Sequence, residues 1–139
     1  MLALLHRAFA RMAGRIDPPS SLARLTVADL AAAWEVWVTP DEGGAHPVAC
    51  MVLTPRPQAL YLGKLAVAPE RHRQGLARAL IAVAEARARA LNLPVLELQT
   101  RVELTENHAA FAALGFAQSG STKHDGFARP TALTFTKPV

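Results

Sequence analysis

The chain has 139 residues, of which 51% are hydrophobic and 19% charged, with a formal net charge of +4 and one cysteine, Cys50. This length suits a single domain with its own hydrophobic core, one cysteine excludes an internal disulfide framework, and no apolar run reaches the ~20 residues of a membrane span. We therefore expect residues 1–139 to form one soluble, cytoplasmic domain that does not enter a membrane.

Two helices are predicted in the N-terminal part. Apolar side chains recur there every three or four positions, at Leu2, Leu5, Phe9, Met12 and Ile16. This period predicts an amphipathic helix over residues 2–16, which Asp17-Pro18-Pro19 ends because proline cannot continue it. Its arginines and its lack of acidic residues would also suit an organelle transit peptide. Thr26-x-x-Asp29 then has the spacing of a capping box, which predicts a short helix that continues to Ala33.

Three strands follow these helices. Residues 34–38 and 48–53 are rich in aromatic and β-branched side chains and flank a Gly-rich break, which is the pattern of an antiparallel hairpin. A third strand over 59–67 is apolar on both faces except for Lys64. Such a strand is expected to be covered on both sides.

The clearest helix of the sequence spans residues 74–92. Its apolar stripe consists of Leu76, Leu80, Ala84, Ala88 and Leu91. Pro94 ends it and a strand over 95–99 follows, so that two parallel strands are expected on either side of the helix. The remaining pattern predicts a short helix and two strands, over 105–114, 116–119 and 131–137. The fold class is therefore α/β, a single-layer, mixed and mostly antiparallel sheet flanked by helices.

The joint between the third strand and the long helix is the most informative place for function. The first N–H groups of a helix have no carbonyl partner, and with the positive end of the helix dipole they attract anions. Gly75 and Ala77 are small enough to let a phosphate approach the backbone, and Arg71 and Arg73 add positive charge. These residues predict a pyrophosphate site, although an ordinary helix start with a solvated basic edge would contain them as well.

Two familiar phosphate motifs are missing from this joint. Neither G-x-x-x-x-G-K-[ST] nor G-x-G-x-x-G occurs, since Gly75 stands alone in the turn. Hydrolysis of nucleoside triphosphates and hydride transfer therefore lose their main support.

The run Leu65-x-Val67-x-Pro69-Glu70-x-His72-Arg73-Gln74-Gly75-Leu76-Ala77 resembles the acetyl-CoA signature of the GNAT family of N-acetyltransferases, V-x-P-x-x-[QR]-x-x-G-x-[GA]. Asn107 and the later Leu114-Gly115-Phe116 resemble a second pattern of that family. With the order of elements, the resemblance covers nearly the whole chain. It implies the acyl-CoA N-acyltransferase fold, acetyl-CoA as co-substrate, and transfer of an acetyl group to a primary amine of a small molecule or a protein.

The resemblance also assigns the co-substrate site residue by residue. In this family the third predicted strand offers backbone groups to the pantetheine arm, the loop and helix start after it wrap the pyrophosphate, and the later Asn contacts the arm. Carried over to this sequence, the binding residues are Leu65, Ala66, Val67, His72, Arg73, Gln74, Gly75, Leu76, Ala77 and Asn107.

Three departures from the family pattern stand out. His72 replaces a Gln or Arg, and Phe111 replaces a Tyr whose hydroxyl is thought to protonate the departing thiolate. The family usually opens with a strand, whereas this chain opens with a helix, so the domain is expected to lack that strand or to begin after it.

The catalytic groups are harder to assign from the sequence. Acyl transfer to an amine needs a base for the amine and an acid for the leaving thiolate. Glu97 is the first candidate for the base, acting through water, and Tyr61 is the candidate acid in place of Phe111. A structural strand Glu and a packed core Tyr are the more common explanations of these two residues. His108 and His124 are further candidates, although such histidines more often lie at the surface without a catalytic role. The five histidines and the lone cysteine lack metal-ligand spacing, so no metal is expected.

Two other functions remain open at this level. Phe111 would fit a catalytically inactive acyl-CoA-binding regulatory domain. The arginines of residues 1–24 and 71–89 would fit a nucleic-acid-binding module, but only 6% of the residues are aromatic and no reader motif occurs, so no nucleic acid is expected. The amine acceptor is not identified by the sequence, and pairing into homodimers, common in the family, is left open.

Overall fold

A mixed sheet of six strands forms the frame of the computed structural model, which describes residues 1–10, 15–17, 25–41, 43 and 46–139. In chain order the elements are α1 (Leu2–Phe9), α2 (Val27–Ala31), β1 (Glu35–Pro40), β2 (Pro47–Pro55), β3 (Leu60–Val67), a 3-10 turn (Pro69–Arg71), α3 (Leu76–Ala90), β4 (Val95–Arg101), α4 (Thr105–Ala113), β5 (Ala117–Thr122) and β6 (Ala132–Pro138). The strands lie in the order β1-β2-β3-β4-β6-β5, and the neighbours are antiparallel except for β3 and β4. The predicted fold class is confirmed.

The first helix is shorter than the one predicted over residues 2–16. Residues 11–14 of that prediction lie outside the described residues, and Ile16 lies in a bend. At this bend the Arg15 guanidinium forms an ion pair with Glu106 at 2.7 Å. A contact with a distant helix thus holds this stretch, and the spacing of apolar residues cannot reveal such a contact.

The second helix begins as its capping box predicts. Thr26 Oγ1 accepts a hydrogen bond from the backbone amide of Asp29 at 3.2 Å, and Asp29 Oδ2 accepts one from the amide of Thr26 at 2.9 Å. The helix ends at Ala31, two residues before the predicted end at Ala33.

Strand β2 divides its side chains between two hydrophobic cores. Ala49, Met51 and Leu53 pack on the α3 face of the sheet, whereas Val48 and Cys50 pack on the α1 face. Because successive side chains of a strand point to opposite faces, a strand with helices on both sides buries both sets.

Helix α3 covers the centre of one face. Its buried side chains are Leu80, Ile81, Ala84 and Ala88, largely the stripe that the sequence predicts. They pack against Leu60 and Leu62 of β3 and Leu96 and Leu98 of β4. The helix therefore bridges the two parallel strands. None of the helices in the described ranges is long and apolar enough to cross a membrane.

Candidate active site

Strands β3 and β4 separate after a short contact. Only Leu60 with Leu96 and Tyr61 with Glu97 are in register, although β3 has eight residues and β4 has seven. Beyond these pairs the strands diverge and leave a cavity of about 380 Å³, which residues 62–67 and 98–101 line. Ala8 and Phe9 of α1 and Phe111 of α4 complete its wall. The sheet therefore opens into a slot at the end of its one parallel pair.

Strand β3 also contains a bulge beside this slot. Lys64 and Leu65 together oppose Met51 of β2, and Lys64 has a φ of +54°, which is uncommon for a residue with a side chain. The extra residue reverses the alternation of the strand. Leu62 faces the α3 core before it, whereas Ala66 faces the α1 core after it. The bulge thus redirects the strand along the cavity.

A buried thiol supports the bulge from behind. Cys50 Sγ donates a hydrogen bond to the carbonyl oxygen of Lys64 at 3.6 Å. Burial raises the pKa of the Cys50 thiol to about 11, so the sulfur keeps the proton that it donates. The cysteine is therefore a structural residue, as expected for a small buried side chain.

The start of α3 is open to an anion. Gly75 precedes the helix with a φ of +77°, a conformation that glycine adopts at little cost, and no side chain caps the first turn. A methyl group in place of its hydrogen would meet no other atom within 4 Å. The first N–H groups and the positive end of the helix dipole are thus uncovered, as a pyrophosphate site requires.

The two arginines near the start of α3 differ in whether their charge is paired. Arg71 donates to the Gln74 side chain at 2.7 Å and to Asp41 at 2.9 Å, so its charge is shared with a carboxylate. Arg73 is exposed, has a φ of +65°, and makes no hydrogen bond or ion pair with the described part of the chain. Of the two arginines predicted to attract phosphate, Arg73 is the one whose charge is available.

The predicted binding residues occupy two adjoining places. Leu65, Ala66, Val67, His72 and Asn107 line the cavity, together with the candidate acid Tyr61. Arg73, Gln74, Gly75, Leu76 and Ala77 form the neighbouring loop and helix start. His72 connects the two, since its Nε2 lies 3.2 Å from the carbonyl oxygen of Val67.

Helix α4 supplies the far wall of the cavity. Asn107 donates to the hydroxyl of Thr100 at 3.4 Å. The Phe111 ring packs against Phe116 and Phe135, with centroid distances of 6.0 and 6.3 Å. Phe111 thus lines the cavity without offering a hydroxyl.

Tyr61 stands where the two strands meet, next to a pair of charges. The Arg56 guanidinium lies 4.0 Å from the centre of its ring and donates to Glu97 at 2.8 Å. Burial raises the pKa of Tyr61, and the Glu97 carboxylate adds to this effect while Arg56 opposes it. The hydroxyl therefore stays protonated over a wide pH range and can act as a donor. Glu97 itself is outside the set of side chains that line the cavity.

Sequence reasoning missed several features of the site. Lys64 was noticeable as the one charge in an apolar strand, but a bulge leaves no pattern that would place it there. Arg56 lies between Pro55 and Pro57, where the sequence shows no sign of a site, and its stacking on Tyr61 depends on strand pairing. The fully buried Thr131, which contacts His124, gave no signal at all.

Charged side chains elsewhere are largely paired. Ion pairs join Arg7 to Glu70 at 3.3 Å, Arg87 to Glu35 at 2.8 Å, and Arg89 to Glu85 at 3.5 Å. Both basic segments of the sequence therefore share charge with carboxylates. Within the described residues there is no group of three or more His, Cys, Asp or Glu side chains that could hold a metal ion.

Known proteins resemble this chain in sequence and in fold. A model of the acetyltransferase (GNAT) family matches residues 3–116, whereas no curated protein matches the sequence. Nourseothricin acetyltransferase is similar in structure, with 25% identity over 74% of this chain and a TM-score of 0.67. This chain spans 64% of the length of that protein.

Two further solved structures match over nearly all of this chain. An acetyltransferase of the GNAT family from Elizabethkingia anophelis, with acetyl-CoA bound, shares 17% identity over 89% of this chain and 86% of its own, with a TM-score of 0.65. The IAA acetyltransferase from Bacillus cereus ATCC 14579 shares 17% identity over 99% and 91%, with a TM-score of 0.66. They confirm the acyl-CoA N-acyltransferase fold. Since the family model also spans most of the sequence, the chain belongs to the acetyltransferase (GNAT) family.

Proposed function

We propose that this protein is an acetyl-CoA-dependent N-acetyltransferase that acetylates a primary amine of a small molecule or a protein. The observation that carries the proposal is the slot between β3 and β4, which adjoins the uncapped start of α3. A long thioester with a diphosphate at one end fits such a site, because the anion and the arm have separate, adjacent places. The bound acetyl-CoA of the Elizabethkingia protein supports this choice of co-substrate.

The residues of the chain would divide the binding between them. The first N–H groups after Gly75 and the charge of Arg73 hold the diphosphate. The edge of β3 that β4 leaves unpaired, from Leu62 to Val67, offers backbone groups to the pantetheine arm. Acetyl-CoA, when bound there, supplies an activated acyl group to an amine.

Tyr61 is the proposed general acid. Tyr61 lines the cavity, and its raised pKa keeps the hydroxyl protonated, so it can give a proton to the departing thiolate. Arg56, stacked on the ring, holds the tyrosine in place. Glu97, the first base candidate of the sequence, would need a water molecule to reach the amine, because its carboxylate is bound to Arg56 and does not line the cavity.

The acceptor is a primary amine of a class still to be found. Acetylation of an antibiotic, the activity that the name of nourseothricin acetyltransferase states, is one class to include in a screen. We place the activity in the cytoplasm, where a chain with a single cysteine needs no disulfide to fold.

Calorimetry with acetyl-CoA and a thiol-release assay test the proposal together. We expect saturable binding, and thiol release that depends on an added primary amine. Binding without release in a broad amine panel would instead support the inactive regulatory domain that Phe111 suggests. Absence of binding at millimolar acetyl-CoA would contradict the proposed function.

A further inference from the structure

His124 is held at the edge of the cavity by three hydrogen bonds. It follows β5 and lines the cavity together with Arg101 and Ala132. Its backbone amide donates to Thr131 Oγ1 at 3.0 Å, and its carbonyl accepts from the amide of Phe127 at 3.1 Å. Its ring Nδ1 contacts the same Thr131 hydroxyl. Backbone and ring are thus both fixed, as a group that handles a proton requires.

Thr131 can hold the His124 ring in the tautomer that carries its proton on Nδ1. A hydroxyl has one proton to donate and two lone pairs that accept. Thr131 Oγ1 donates to the carbonyl of Thr122 at 3.4 Å and accepts from the His124 amide. With the hydroxyl proton directed to Thr122, the remaining lone pair accepts from His124 Nδ1, which bears the proton in this arrangement. The neutral ring then presents an unprotonated Nε2, and this nitrogen has no hydrogen-bond partner within the described residues.

The other four histidines do not offer this arrangement. His6 and His46 are exposed and outside the cavity wall. His108 donates from Nε2 to the carbonyl of Arg101 at 3.1 Å and is also outside that wall. His72 lines the cavity, but its Nε2 is bound to Val67 beside the predicted diphosphate site. Among the histidines, His124 alone combines a cavity position away from that site with a fixed, open Nε2.

We propose that Nε2 of His124 is the general base that deprotonates the acceptor, an inference that rests on the proposed function. The acceptor ammonium gives one proton to Nε2, and the neutral nitrogen attacks the thioester carbonyl carbon. The new C–N bond forms as the C–S bond breaks, and the sulfur leaves with the electron pair and takes the proton of Tyr61. The nitrogen loses its second proton to water, Tyr61 takes a proton from water, and His124 releases its proton to the solvent. The net products are an amide, a free thiol and one released proton.

The two proposed proton carriers line the same cavity from different parts of the sheet. Tyr61 belongs to β3, which lines one side, and His124 follows β5, beyond β4 and β6. Glu97, in contrast, is bound to Arg56 and does not line the cavity.

The protonation of the ring can be measured without knowing the acceptor. Long-range ¹H–¹⁵N spectra of the full chain, labelled on histidine, distinguish the two neutral tautomers. We expect the Nδ1-protonated form at His124 in the wild type and in Thr131→Ser. Thr131→Val removes the hydroxyl while conserving the shape, and the Nε2-protonated form should then predominate. A wild-type ring protonated on Nε2 would overturn the proposal.

Kinetics then separate His124 from Glu97. The probes are an amino acid, a polyamine, an arylalkylamine, a streptothricin and a peptide with a free N-terminus. With any of these that the wild type acetylates, His124→Gln should lower kcat by about 100- to 10,000-fold while the Kd of acetyl-CoA stays within about threefold. Exposed His46→Gln is the matched control and should be unchanged. Glu97→Gln should retain most of the activity.

Each outcome has a single reading. Full activity of a folded His124→Gln variant overturns the role of His124 and leaves the proposed function intact. Loss of activity in Glu97→Gln alone assigns the base to Glu97 and also overturns it. A wild type that binds acetyl-CoA but acetylates none of the probes contradicts the proposed function, and the role of His124 with it.

Discussion

Gly75 offers the sharpest test of the co-substrate site. Gly75→Glu places a carboxylate beside the predicted diphosphate, and Gly75→Gln gives the same shape without the charge. The space around Gly75 is open and its φ is +77°, so both variants should fold. Each should lose about 1 kcal/mol of stability, because a side chain in the left-handed region is strained. The difference between the two therefore isolates the charge.

The size of that difference follows from Coulomb's law. Two like charges about 5 Å apart repel by about 1 kcal/mol in water and about 3 kcal/mol at the effective dielectric constant of ~20 near a protein surface. We expect Gly75→Glu to bind acetyl-CoA about 5- to 150-fold more weakly than Gly75→Gln. Raising the salt from about 0.1 to 1 M shortens the Debye length from about 10 to 3 Å and should shrink the gap.

Isothermal calorimetry with acetyl-CoA at the two salt concentrations measures this effect. Thermal melts of both variants serve as the folding control. Equal affinities of the Glu and Gln variants at low salt, with both folded, would show that no diphosphate binds at Gly75.

Three further predictions concern the acid, the bulge and the second helix. Tyr61→Phe should lower amine-dependent thiol release by about 100-fold or more at unchanged acetyl-CoA affinity; a variant as fast as the wild type would remove Tyr61 from the mechanism. Folding raises the pKa of Cys50 from 9.0 to about 11, so the native state holds the thiol proton more tightly than the unfolded state. The protonated thiol therefore contributes its full stabilisation below pH 9, and this stabilisation is lost as the pH rises to about 11. In urea melts, the free energy of unfolding of the wild type should decline over this pH interval by about 2–3 kcal/mol more than that of Cys50→Ala. An equal decline in both proteins would show that the thiol is not buried in its protonated form. Thr26→Ala removes one bond of the capping box and should cost about 1 kcal/mol in the same melts, whereas an unchanged midpoint would mean that α2 does not need its cap.

The sequence predicted those parts of the fold that depend on local pattern. The stripe of α3, the hairpin of β1 and β2 and the parallel crossover from β3 to β4 are all confirmed. Each has a period or an order of elements that few other structures share. The insertion of β6 between β4 and β5 was not predicted, because strand order depends on pairing between distant segments.

In the candidate site, too, the features that depend on local pattern could be predicted and those that depend on strand pairing could not. The loop from His72 to Ala77 has a motif, and the structure places this loop beside the cavity. The bulge at Lys64 and the contact of Arg56 with Tyr61 arise only when strands pair. The hydrogen bonds between His124 and Thr131 require β5 and β6 to meet. Side chains that are positioned by such pairing have no signature in a single sequence.

The brief contact between β3 and β4 has a consequence for the whole molecule. The sheet is therefore divided into two three-stranded halves, β1-β2-β3 and β4-β6-β5, which are joined at one corner and spanned by α3. In a continuous sheet the facing N–H and C=O groups of β3 and β4 would pair with each other, whereas here they can pair with a ligand between the two halves. Such a ligand would act as a missing strand, so that its affinity and the resistance of the protein to unfolding rise together.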